Sequence, residues 1–169
     1  MYNNILYPTD GSEGAKAALA HCRHLAEAHG ATVHVLYVAE NLAPHGLGGE
    51  SDIGVGGHGG MVGDPKGGAG MVGTRKRREE FLADIEKYGH TLIEEVASHL
   101  GDADTQTVVR KGNPYEVILD YAKTQDVDLI LMGTHGRSGL DRYLIGSVTE
   151  KVVRMSDVPV LTVRRNAAS

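Results

Sequence analysis

Short apolar runs and longer amphipathic stretches alternate along most of the chain. The short runs are rich in β-branched residues or bounded by turn residues, which is typical of strands. They predict five strands, at residues 4–7, 32–38, 105–110, 129–132 and 158–163. The stretches between them carry apolar residues three or four apart and predict helices over residues 14–29 and 75–100, from residue 113 and from residue 146. Strands that alternate with helices indicate an α/β domain with a parallel sheet covered on both faces.

Three of these helices have recognisable ends or faces. Gly30 is well placed to terminate the first helix. Asn113 can cap the third, because Pro114 fits the first turn and Glu116 occupies the third helical position. The second helix is expected to bury an apolar side formed by Phe81, Leu82, Ile85, Leu92, Ile93 and Val96.

Residues 41–74 break this pattern, because they are rich in glycine and offer few residues for a core. A short repeat is visible, with Gly-Met-Val-Gly at residues 60–63 and again at residues 70–73. Glycine loses more conformational entropy on ordering than any other residue, so this composition predicts flexibility. The prediction is therefore a single domain over residues 1–169, with a glycine-rich flexible loop at about 41–74.

A place suited to an anion follows the fourth predicted strand. Its apolar run stops at Gly133, and a loop containing Gly136 leads to Gly146-Ser147 at the start of a helix. Glycines let backbone N–H groups approach an anion closely, and the first turn of a helix has N–H groups without partners inside the helix. The helix dipole adds about half a positive charge there. This order of elements predicts a phosphate site.

Side chains around this loop and after the first strand add polar groups. Ser147 and Thr149 can supply hydroxyls, and Arg137 a full charge. His135 could donate to a phosphate or act as a general base, or it could be a surface histidine that contributes only its backbone. Asp10 follows the first strand, where its carboxylate could bond a ribose hydroxyl or hold Mg²⁺ through water; alternatively, it caps the next helix.

The spacing Gly133-x2-Gly136-x9-Gly146-Ser147 resembles the nucleotide-binding signature of the universal stress protein family, in the branch that binds ATP. The resemblance extends to Ile5–Ser12 and Val158–Val163, and it covers nearly the whole chain except about residues 41–74. It implies a Rossmann-like fold: an open, doubly wound sheet of five parallel strands in the order 3-2-1-4-5. The order then reverses between strands one and four, so Asp10 and Gly133 would face one crevice.

The same resemblance implies the ligand contacts. In the ATP-binding branch an aspartate and the preceding Pro-Thr line the pocket, and the backbone of a residue matching Val38 reads adenine. The phosphates would lie on the backbone amides of Gly136, Gly146, Ser147 and Val148. Mg²⁺ would accompany the triphosphate charge. The complete expected set of ATP-binding residues is Pro8, Thr9, Asp10, Val38, Met132, Gly133, His135, Gly136, Arg137, Gly146, Ser147, Val148 and Thr149.

The expected function is that of an ATP-binding universal stress protein, a nucleotide-dependent switch or sensor that hydrolyses ATP slowly or not at all. Fast phosphoryl transfer needs a positioned water and fixed charge, and only Asp10 and His135 could orient water. The alternative is a nucleotide hydrolase, or a relative of the adenylating α/β enzymes, that uses the same crevice. A third possibility is a nucleotide-free interaction module, as in the family branch that lacks the glycine signature.

The amino-acid composition limits the classes of binding partner that are expected. A net charge of −5 and 41% apolar residues give no basic or acidic excess of the kind that indicates nucleic acid, and no segment has the roughly 20 successive apolar residues of a membrane span. Cys22 is alone, so no intramolecular disulfide can form, which suits the cytoplasm, where we expect the protein. The family resemblance implies a homodimer through the final strand, at about residues 158–164. The signalling partner is unknown.

Overall fold

The computed structural model describes residues 2–40, 69–134 and 145–164, and of residues 69–79 it describes the backbone alone. The chain divides into two compact units, one formed by Met1–Asn41 with Ile85–Ser169 and the other by Leu42–Asp84. Most of the loop predicted at 41–74 lies outside the described residues, so the prediction of one domain with a flexible loop stays a prediction.

In the described part of the chain, five parallel strands form one sheet in the order β3-β2-β1-β4-β5. Along the chain the elements are β1 (Asn4–Pro8), α1 (Glu13–His29), β2 (Thr32–Ala39), α2 (Ala69–Ser98), β3 (Thr105–Lys111), α3 (Pro114–Thr124), β4 (Leu129–Gly133), α4 (Ser147–Met155) and β5 (Val160–Val163). The predicted fold class, a doubly wound α/β sheet in this strand order, is confirmed.

Both faces of the central strands are buried, as expected for a parallel sheet. On one face, residues of β1 and β2 such as Tyr7 and Val35 pack against α1 and the second half of α2. On the other, their sequence neighbours Leu6 and Leu36 pack against α3 and α4. Cys22 of α1 is fully buried on the first face, and burial raises the pKa of its thiol to about 12.

The described part of α2 departs from the prediction at both its start and its buried side. The helix begins at Ala69 instead of Arg75. The glycines Gly70 and Gly73 lower the helix propensity of this stretch, but they do not prevent a helix. Phe81 was expected in the core, but its side chain is 51% exposed. Although α2 has 30 residues, neither it nor any other described helix combines the length and the apolar character needed to cross a membrane.

The starts of α3 and β5 also differ from the prediction. Asn113 precedes α3 in an extended conformation, but its side chain makes no capping hydrogen bond, and Glu116 instead accepts one from the Tyr115 hydroxyl. The last strand begins at Val160 instead of Val158. Residues 156–158 form a tight turn, in which the Ser156 hydroxyl donates to the carbonyl of Val158 and accepts from its N–H.

A buried histidine lies between β2 and α3. His34 is only 4% exposed, and its Nδ1 is 2.9 Å from the Tyr121 hydroxyl. Its Nε2 is buried without a hydrogen-bond partner among the described residues. Burial lowers the pKa of His34, and the charge of Asp104 opposes that shift in part. The fold therefore favours the neutral imidazole.

This preference predicts a dependence of stability on pH. The pKa of His34 is lower in the folded chain than in the unfolded chain, where it is about 6.5. Its contribution is therefore fully present above pH 6.5 and is lost as the pH falls through the folded pKa. One such group changes the free energy of unfolding by at most about 1.4 kcal/mol per pH unit. Urea unfolding between pH 7.5 and 5 should show a steeper loss for the wild type than for His34→Gln; parallel curves would contradict this account.

Candidate functional site

A crevice is expected beyond the carboxyl ends of β1 and β4. These strands are neighbours, but the helix that follows β1 packs on one face of the sheet and the helix that follows β4 packs on the other. In open parallel sheets the point where connections change face leaves a cleft at the carboxyl edge. Here that position brings the turn after Pro8 and the start of α4 to the same edge, next to the end of β2.

The turn after β1 is held by backbone hydrogen bonds. The N–H of Thr9 donates to the Leu36 carbonyl at 2.9 Å, which extends the pairing with β2 by one residue. The Thr9 hydroxyl oxygen accepts from the N–H of Gly11 at 3.2 Å. Gly11 has a φ of +77°, a conformation that favours glycine. Thr9 is itself only 6% exposed, and its predicted ligand role stays a prediction.

Asp10 does not cap the following helix, which was the structural alternative for this residue. Ser12 is the N-cap of α1, and its hydroxyl accepts from the N–H of Ala15 at 3.2 Å. Asp10 Oδ1 accepts from the N–H of Ser12 at 2.9 Å. One carboxylate oxygen therefore fixes the turn, and the half-buried side chain lies at the carboxyl edge of the sheet.

The backbone of Val38 points towards the end of β1. In β2 the N–H of Thr32 bonds to Asn3 and the carbonyl of Leu36 accepts from Thr9, so the even-numbered residues direct their backbone groups towards β1. The last pair of these strands is Pro8 with Leu36. Val38 is the next residue of β2 with this orientation, two positions after Leu36. Within the described residues, no partner from β1 meets its N–H or carbonyl. The position predicted to read adenine thus presents an open backbone edge.

Gly133 has a packing role. A Cβ at this position would overlap the backbone of Gly14 and come within 2.9 Å of the Ala15 nitrogen. The end of β4 therefore lies directly against the first turn of α1, which only a residue without a side chain permits. Its neighbour Met132 is buried in the core on the α3 and α4 face, and Pro8 is buried at the end of β1.

Thr149 ties α4 to the end of β4. Its hydroxyl donates to the Gly133 carbonyl at 2.9 Å, and the residue is only 4% exposed. The hydroxyl was predicted to assist a phosphate, but in this structure its proton is directed into the protein. The group that Thr149 can present to a phosphate at the start of α4 is its backbone N–H.

The backbone of Gly146 also makes a hydrogen bond that was not predicted from the sequence. Its N–H donates to the carbonyl of Thr134 at 2.7 Å, so this amide, assigned to a phosphate from the sequence, is occupied. Gly146 is the N-cap of α4 and has no side chain to accept from the first turn. The N–H groups of Ser147, Val148 and Thr149 have no partner inside the helix. The Ser147 side chain is exposed beside them.

Three predicted residues, His135, Gly136 and Arg137, lie outside the described residues, and their contacts stay predictions. In the part of the chain that the structure does describe, no three or more histidine, cysteine, aspartate or glutamate side chains gather in a way that could hold a metal ion.

One residue at this edge was missed by the sequence reasoning. The Tyr88 hydroxyl lies next to Gly11, where a Cβ would come within 3.0 Å of it. Its ring stands edge-on to that of Tyr37 at a centroid distance of 6.0 Å. Tyr88 follows Ile85 by three residues and precedes Leu92 by four, so helical spacing already indicates the inward side of α2.

Comparisons with known proteins agree on one family. The model of the universal stress protein family matches residues 1–53 and 63–164. The universal stress protein MJ0577 of Methanocaldococcus jannaschii is 32% identical over 171 residues, covering 98% of this chain and 96% of that protein. The solved structure of MJ0577 superposes with a TM-score of 0.75 at 28% identity, covering 99% of each chain.

Two more distant structures with the same fold contain nucleotides. A universal stress protein family member from Arabidopsis thaliana, solved with AMP bound, has a TM-score of 0.54 at 15% identity, covering 98% of this chain and 93% of that one. A universal stress protein in complex with cAMP has a TM-score of 0.58 at 20% identity, covering 96% and 97%. At these identities the likeness shows a shared fold.

The bond between Thr149 and Gly133 can be tested by removing the hydroxyl alone. Thr149→Val keeps the shape of the side chain but leaves a buried carbonyl without its donor, which costs about 1–3 kcal/mol. Thr149→Ser keeps the donor and serves as the matched control. Chemical denaturation should show a clear loss of unfolding free energy for the valine variant relative to the serine variant. Equal stability of the two would show that the hydrogen bond is not important.

Proposed function

The chain belongs to the universal stress protein family, and we propose that it binds ATP at the carboxyl edge of the sheet and acts as a nucleotide-dependent switch. The observation that carries this proposal is the start of α4. Gly146 caps the helix without a side chain, so the first-turn amides receive no acceptor from the cap. Such amides, together with the helix dipole, favour phosphate oxygens.

The geometry revises the proposed phosphate contacts. Because the Gly146 amide donates to Thr134, the described donors for phosphate are the amides of Ser147, Val148 and Thr149 and the exposed Ser147 hydroxyl. The proposal also includes phosphate contacts from Gly136, His135 and Arg137, and these rest on the sequence alone. The remainder of the nucleotide would extend towards β2, away from the helix start.

The other end of the crevice suits a nucleoside. Val38 offers an N–H donor and a carbonyl acceptor side by side, which is the pairing that the edge of an adenine can match. Asp10 lies between this edge and the phosphate end, where a carboxylate can accept from ribose hydroxyls. The AMP and cAMP complexes of other family members support an adenine nucleotide as the class of ligand.

We further propose that turnover of ATP is slow, with Mg²⁺ accompanying the triphosphate. Asp10 is the carboxylate that follows β1 at this edge, and one of its oxygens already accepts from the N–H of Ser12. Fast phosphoryl transfer needs a water held in line and a fixed charge on the transferring group. Steady turnover above about 1 s⁻¹, the low end for ordinary enzymes, would contradict the switch and favour a hydrolase.

We also propose a homodimer that pairs through the last strand, at about residues 158–164. Within the described sheet, β5 pairs with β4 alone, so its other edge carries backbone groups suited to another strand. Leu161 of β5 is 38% exposed, and Val153 and Met155 of α4 are about half exposed. An apolar edge strand with exposed apolar neighbours is the kind of surface that proteins cover.

Phosphate binding by the α4 amides can be tested with proline at the first helical position. Gly146 has φ −62° and ψ 146°, which is the conformation preferred before proline, so Ser147→Pro should keep the helix while removing one N–H. We expect ATP affinity measured by calorimetry to fall about tenfold, which corresponds to 1.4 kcal/mol. Ser147→Ala removes only the hydroxyl and should lose less. Wild-type affinity in the proline variant would exclude this helix start as the phosphate site.

The dimer prediction is tested at Leu161. Replacement by lysine places a charge on the apolar edge and should shift the protein from dimer to monomer in sedimentation velocity at micromolar concentration. Because the side chain is already partly exposed, the monomer should stay folded. A wild-type protein that sediments only as a monomer would contradict the proposal.

A further inference from the structure

Tyr88 connects two parts of the carboxyl edge. Its hydroxyl lies next to Gly11 in the turn after β1, and its ring contacts Tyr37 near the end of β2. Even with these contacts, 48% of the side-chain surface of Tyr88 remains exposed. About half of Tyr88 is therefore accessible where it lies between the two strand ends.

Two glycines allow this arrangement. Gly89 follows Tyr88 in α2, and a Cβ there would overlap the ring of Tyr37, so the helix can approach β2 closely only because position 89 has no side chain. Gly11 has a positive φ, and a Cβ on it would come within 3.2 Å of Leu92 as well as meeting Tyr88. These close approaches fix the position of the tyrosine at the edge of the sheet.

The open backbone edge of Val38 lies beside this ring. Tyr37 and Val38 are consecutive in β2, so the Tyr37 side chain is directed to the α1 and α2 face while the Val38 backbone groups point towards β1 in the plane of the sheet. Tyr88 spans from Tyr37 to Gly11 on that same face. It therefore borders the gap between Val38 and the turn that carries Asp10.

We propose that Tyr88 is a specificity-determining residue of the nucleotide site, an aromatic wall that contacts the base held at the Val38 backbone. The proposal rests on the nucleotide-binding function and adds the subsite for the base. The face of an aromatic ring offers little to a phosphate, whereas a planar heterocycle gains from contact with that face, by about 1–3 kcal/mol per base in other proteins. Tyr88 thus distinguishes a nucleotide from an inorganic polyphosphate.

The experiment compares ATP with inorganic tripolyphosphate, which has the same number of phosphates and no base. Calorimetry is run on the wild type, Tyr88→Phe and Tyr88→Leu. The phenylalanine variant keeps the ring and should bind ATP like the wild type. The leucine variant should bind ATP about tenfold more weakly, with unchanged affinity for tripolyphosphate.

Tyr2→Leu is the matched control, because Tyr2 is a partly buried tyrosine before β1, at the opposite edge of the sheet, where its ring contacts His29. It should leave both affinities unchanged. If Tyr88→Leu binds ATP as the wild type does, the aromatic wall is excluded and the nucleotide site stands. If both ligands weaken equally, Tyr88 acts by holding the Gly11 turn, and the proposal is wrong. Failure of the wild type to bind ATP would overturn the proposed function itself.

Discussion

The contact between the end of β4 and the first turn of α1 is the constraint on which the rest of the site depends. Gly133 lies against the backbone of Gly14, closer than any side chain would allow. The carbonyl of the same glycine accepts from Thr149, so the start of α4 is held at that point too. One residue thereby sets the relative position of two helices that lie on opposite faces of the sheet.

The glycine spacing therefore has two functions that sequence reasoning joined into one. From the pattern, Gly133 and Gly146 were expected to let the backbone meet a ligand. In the structure Gly133 permits close packing, and the Gly146 amide bonds to Thr134. Among the described residues, the donors left for an anion are the amides of Ser147, Val148 and Thr149, so a glycine signature of this kind indicates the position of a candidate site more reliably than the atoms that form it.

Much of the fold could be predicted because its signals are local. Apolar runs located the strands, and the resemblance supplied their order. The contacts that the sequence did not indicate are distant along the chain or depend on geometry: Thr149 bonds to a carbonyl 16 residues away, and Asn113 sits at a helix start without capping it. Asp10 was a candidate for the cap of α1, and only the observed hydrogen bonds show that Ser12 holds that position. Tyr88 was visible from helical spacing but was omitted from the inward side of α2.

The single cysteine has a practical consequence. Cys22 is fully enclosed under the sheet, and the raised pKa keeps its thiol protonated and unreactive near neutral pH. We therefore expect the natural chain to react only slowly with maleimides and similar reagents. Spectroscopic labels can be introduced at exposed positions of the crevice by single substitutions, without first removing the native thiol and disturbing the packing of α1.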